Sequence, residues 1–139
     1  MDDFAELIRS RLQIPETDPR LLSPLTLAFV GDAVFDLIIR TEVAAGAQRA
    51  PDKLNRDKVK RVNAAAQAAL VEAMLPHLTE EESDIFRRGR NAKPHTTAKH
   101  QRISDYHKAT GLEALAGYLF LKGESDRLLT LLALAKETE

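Results

Sequence analysis

Residues Leu27–Arg40 read LAFVGDAVFDLIIR, and this stretch decides the class of the fold. Its apolar residues Leu27, Val30, Val34 and Ile38 recur at helical spacing and form a face broad enough to be mostly buried. The same run holds Gly31 and two acids, Asp32 and Asp36, one helical turn apart. A glycine inside a helix costs about 1 kcal/mol relative to alanine, and it lets another backbone or a ligand approach closely. A buried, unpaired carboxylate costs several kcal/mol or takes up a proton, so Asp32 and Asp36 need compensation.

Working outward, Ser23-Pro24 opens this helix with a side-chain cap and a first-turn proline, and Gly46 stops it after about Ala45. Upstream, a short helix is expected from about Asp3 to Leu12, ended by Ile14-Pro15. Downstream, Pro51 starts another helical stretch, continued by VKRVNAAAQAALVEAML until Pro76. Thr79 and Glu82 make a capping box for a helix to about Arg88. From Gly89 to about Arg102 the polar, basic composition reads as a loop of functional length. Ser104 is expected to cap a helix through Leu121, Gly123 to end it, and Ser125 to about Lys136 to form the last helix. Strand alternation is missing, so the class is all-α, and the 139 residues fit a single domain.

The absence of cysteine excludes disulfides, thiolate zinc sites and cysteine nucleophiles, so any metal must use oxygen or histidine ligands. The opening MDDFAELIRSRL is acidic where a signal peptide is basic, and no apolar run reaches the roughly 20 residues that span a bilayer. The expectation is a soluble, cytoplasmic protein that makes no use of a membrane.

The net charge of −1 is unevenly distributed. Between Phe86 and Lys108 stand seven Lys and Arg against one acid, Asp105, an excess of six positive charges that leaves the rest of the chain at −7. Such an excess within an acidic chain is the footprint of a polyanion-binding surface, although a charge run is also the ordinary face of a solvated helix or loop. The glycine and asparagine of RRGRNAK suit backbone phosphate contacts beside guanidinium groups. His95, His100 and His107 fit no standard metal spacing.

The helix ending at Leu121 repeats the design of the opening stretch. GLEALAGYLFL places Glu113 in an apolar run with Gly111 before it and Gly117 one turn after. Two buried helices, each with an acid beside a glycine, can meet and turn their acids to one point. A divalent cation such as Mg²⁺ would compensate them, since it takes one or two carboxylates plus waters and phosphates. The alternative is that Asp32 and Asp36 face solvent or pair with arginines, and that Glu113 is an ordinary helix glutamate.

LAFVGDAVFDLIIR resembles the signature helix of the ribonuclease III catalytic domain, and LEALAGYLFL its second acidic motif. RRGRNAK followed by TTAK is similar to the Mini-III ribonucleases, which lack the separate double-stranded RNA-binding domain. The resemblance runs from about Leu21 to Leu134. It implies an all-helical endonuclease domain acting as a homodimer on double-stranded RNA, with Mg²⁺ at each active centre. In that subfamily the natural substrate is precursor large-subunit ribosomal RNA. Carried over by position, Asp32 and Glu113 are the catalytic metal ligands and Phe29 packs across the dimer interface. Arg87, Arg88, Arg90, Asn91, Lys93 and Lys99 are expected to hold RNA. Acids found elsewhere in the family are replaced here by Leu25, Ala28 and Thr110, a reduced set that Mini-III enzymes share, and Asp36 is a candidate outer carboxylate. Two rivals stand beside the nuclease: a non-catalytic RNA-binding or ribosome-associated domain of the same fold, and a helical module whose basic loop binds an acidic protein.

Overall fold

The computed structural model describes residues 3–46, 50–92 and 103–137. These residues form seven α-helices and two 3₁₀ turns, Pro19–Leu21 and Leu75–His77, with no strand among them. The helices are α1 (Phe4–Arg11), α2 (Pro24–Gly46), α3 (Pro51–Val62), α4 (Ala64–Met74), α5 (Glu80–Asn91), α6 (Ile103–Leu121) and α7 (Ser125–Glu137). Helix α6 is the axis of the molecule: nearly every residue from Ala109 to Leu119 is buried, and α1, α2, α4, α5 and α7 all pack against it. Leu27 and Phe35 of α2, Val71 and Met74 of α4, Leu112, Leu115 and Leu119 of α6, and Leu128 and Leu131 of α7 fill the centre.

Cap chemistry sets most boundaries. Asp3 accepts the Ala5 amide at 2.9 Å to start α1 and the Ser125 amide at 3.3 Å, fastening α1 to the start of α7. Ser23 Oγ accepts the Thr26 amide at 3.1 Å at the start of α2. The Thr79–Glu82 box is formed in both directions. The Glu82 carboxylate, 6% exposed, also takes two hydrogen bonds from the Arg127 guanidinium of α7, at 2.8 and 2.9 Å. That bidentate partner and the Thr79 amide hold its pKa below the usual carboxylate range despite burial. Gly123, at φ +81°, turns the chain out of α6 in a left-handed conformation that favours glycine.

Three boundaries differ from expectation. The stretch from Pro51 to Leu75 is two helices, broken at Asn63, whose extended backbone and side chain cap α4 through the Ala66 amide at 2.9 Å. Helix α5 continues past Arg88 to Asn91, and Gly89 lies inside it, buried. A Cβ on Gly89 would stand 2.6 Å from Ala114 Cβ and 3.0 Å from Gly111 Cα, so this glycine serves the crossing of α5 and α6 rather than a turn. Ser104, expected as a cap, is instead the second residue of α6. The remainder of the expected basic loop, with Lys93 and Lys99, lies outside the described residues.

Candidate active site

The centre is built where α2 crosses α6 in backbone contact. A Cβ on Gly31 would sit 1.6 Å from the Glu113 carbonyl oxygen, and one on Gly117 would sit 2.0 Å from the Leu27 carbonyl oxygen. Glycine is required at both positions, because no side chain fits between the two backbones. The crossing brings the neighbouring acids together: the half-buried Glu113 side chain is hydrogen-bonded to that of Asp32, which lies at the exposed edge. Burial, then this hydrogen bond and the charge of Asp32, push the Glu113 carboxyl up to about 8. At neutral pH Glu113 therefore keeps a proton that a bound cation would displace.

The donor set is all oxygen, and no cluster of three or more His, Asp or Glu stands anywhere among the described residues. Two carboxylates fit Mg²⁺, which takes one or two of them and keeps several of its waters, and do not fit a closed zinc site. Asp36 does not join them. Its Oδ2 lies 2.6 Å from Arg40 Nε and its Oδ1 3.5 Å from Lys58 Nζ, so the pairing alternative holds for this residue.

The basic residues separate into two kinds. Arg87 is exposed and paired with Asp84 at 2.6 Å, an exchangeable surface contact. Arg90 is exposed, with its guanidinium 5.8 Å from the centre of the Phe86 ring and its Nε 3.3 Å from Asn91 Oδ1. The Arg90 carbonyl accepts a hydrogen bond from His107 Nδ1 at 3.0 Å, which ties the end of α5 to α6. Arg88 points inward, and its guanidinium donates to the Leu22 carbonyl at 3.4 Å beside the start of α2.

Phe29 projects from α2 with 80% of its surface exposed. It borders an apolar groove of about 880 Å³ lined also by Ala33 and Leu37 of α2, Phe4, Phe120 and Leu129. Asp32, Asp36 and Lys58 stand in the same groove. The sequence singles out only Phe29 of this apolar set; Phe4, Phe120 and Leu129 come from three further helices that meet α2 only in the fold.

With this geometry in place, the comparisons decide the family. The Ribonuclease III domain family matches residues 25–124, which include Asp32, the basic end of α5 and Glu113. The chain belongs to the ribonuclease III family. It is 50% identical to the Mini-ribonuclease 3 of Thermoanaerobacter sp. (strain X514) over 82% of this chain and 80% of that protein. It is 43% identical to the Mini-ribonuclease 3 of Staphylococcus aureus over 81% of this chain and 86% of the relative. A crystal structure of a Fusobacterium nucleatum protein superposes with a TM-score of 0.77 at 30% identity, covering 88% of this chain and 98% of that one. The protein is thus an endoribonuclease of the ribonuclease III family, a metal-dependent class that acts on RNA. No helix among the described residues is long and apolar enough to cross a membrane.

Proposed function

We propose that this ribonuclease III family member is a Mg²⁺-dependent endonuclease that cuts duplex RNA as a homodimer in the cytoplasm, its substrate a precursor of large-subunit ribosomal RNA. The observation that carries the reading is the carboxyl pair of Asp32 and Glu113, brought together by two glycines at a helix crossing. Those two side chains would hold the metal, the Glu113 proton passing to solvent on binding. When bound, Mg²⁺ supplies a water of lowered pKa and offsets charge on the phosphate and the leaving oxygen. The chain's own groups then position the substrate. Exposed Arg87 and Arg90, with Asn91, grip the RNA backbone, and Lys93 and Lys99 are the further RNA-binding residues of the reading. Arg88, whose guanidinium donates to the Leu22 carbonyl, links α5 to the segment that leads into α2. A-form shape and the 2′-hydroxyls provide the preference for RNA.

The exposed Phe29 and its groove support the dimer. A contiguous exposed apolar surface is uncommon on a monomer, and a second copy related by a two-fold axis would cover each exposed Phe29.

The test is cleavage of duplex RNA with and without Mg²⁺, by the parent and by Asp32→Asn. The substitution keeps size and removes charge. Losing one of two metal ligands should slow cleavage by about 10²-fold or more, equivalent to about 3 kcal/mol of transition-state stabilisation, while RNA binding survives. Equal rates for parent and variant would overturn the assignment.

A further inference from the structure

We propose that the Lys58 ammonium, steered by Asp36, is an RNA phosphate contact beside the Asp32 and Glu113 pair. The inference rests on the reading of this centre as an RNA-cutting site and adds a residue on α3 to it. Helix α3 has no buried residue, and it meets α2 through the side chains of its inner face. Lys58 lies on that face with only 16% of its side chain exposed, far more covered than Arg40 or Arg56. It is the one cation among the described residues lining the groove that holds Asp32.

Asp36 follows Asp32 by one helical turn, so the two carboxylates share a face of α2 with their Cβ atoms about 6 Å apart. Arg40 occupies Asp36 at 2.6 Å. The Lys58 contact, at 3.5 Å, is longer than a full hydrogen bond, so the ammonium is oriented by the charge of Asp36 rather than held by a short bond to it. A compact ammonium is a phosphate-binding group. Asp32 and Asp36 place negative charge in the groove by which a polyanion would approach, and an ammonium beside them offsets it. Attachment of α3 to α2 alone does not account for Lys58, because Arg61 already makes that link to Glu42 at 2.9 Å.

Duplex RNA binding by the full-length protein, measured in EDTA over a series of salt concentrations, tests this. Single-turnover cleavage with Mg²⁺ at saturating RNA and thermal melting accompany it. Lys58→Gln should reduce the salt slope by about one, the share of a single phosphate, and slow cleavage by about tenfold. Lys58→Arg should restore the slope, and Arg61→Gln should leave it at the parent value. Adding Asp36→Asn to Lys58→Gln should slow cleavage no further, since Asp36 acts through the lysine. A Lys58→Gln protein with the parent's slope and rate overturns the proposal. So does one whose losses match those of Arg61→Gln in proportion to melting temperature, which makes Lys58 a structural fastener. A parent that binds RNA but does not cut it removes the nuclease reading and leaves Lys58 to be judged by the slope; a parent that does neither overturns both.

Discussion

Replacing Glu113 with glutamine should remove a pH dependence of stability that the parent shows between about pH 5 and 8. In the folded protein Glu113 is raised from an ordinary 4.5 to about 8, so across that window the native state keeps a proton that the unfolded chain has released. Stability from this group is therefore fully present below the unfolded value and is lost as pH rises through the folded one. Full linkage amounts to about 1.4 kcal/mol per pH unit, and partial titration at the ends trims the loss between about pH 5.5 and pH 7.5 to about 2.5 kcal/mol. For a chain of this length that is a fall of about 8 °C in melting temperature. Glutamine stays neutral and still donates to Asp32, so the variant should lose that slope and melt above the parent near pH 8 without divalent ions. Melting of both proteins in EDTA, at one protein concentration, checks this, and histidine titrations cancel in the difference. Carboxyls held low in the folded state, such as Glu81 and Glu82, act only as pH falls toward and below about 4.5, outside this window. Equal slopes for parent and variant would refute the protonated pair.

The helix crossing, the groove and the basic end of α5 each yield a further outcome. Gly31→Ala sets a methyl 1.6 Å from the Glu113 carbonyl oxygen, so α2 and α6 must separate by well over 1 Å. Melting should show a loss of about 3 kcal/mol or more, and cleavage should fall by about 10²-fold. Phe29→Asp should shift the protein toward monomer in sedimentation without unfolding it, because Phe29 is 80% exposed in the single chain. Neutralising Arg87 and Arg90 together should lower the salt slope of RNA binding by about two with little effect on melting. Arg88→Ala should instead lower the melting temperature, because its guanidinium is committed to Leu22.

Features that depend on near neighbours in the chain were legible in the sequence. The caps at Asp3, Ser23 and Thr79 are local hydrogen-bond chemistry, and all three form. The pairing of Gly31 with Asp32 and of Gly117 with Glu113 foretold two helices in backbone contact with acids beside the crossing, and the geometry has that form. Gly89 was misread because a glycine before a basic run looks like a turn, and only Ala114 and Gly111 on the facing helix reveal its packing role. Asn63 carried a cap signal that the helix-forming residues on either side obscured. Arg40, four residues after Asp36, was the visible hint that this acid is paired. Neither the groove around Phe29 nor the place of Lys58 has a sequence signature. Each joins helices far apart in the chain, and the charged pattern of α3 does not say which of its lysines faces α2.

The claim that Asp32 and Glu113 hold one metal ion together is tested most directly by titrating Mn²⁺, as a spectroscopic stand-in for Mg²⁺, into RNA-free protein and following the free-ion resonance signal at several pH values. The account predicts affinity rising about tenfold per pH unit up to about pH 8, as the ion displaces the Glu113 proton, and its loss in both Asp32→Asn and Glu113→Gln. Parent-like Mn²⁺ affinity in either variant, or binding that ignores pH, would contradict it.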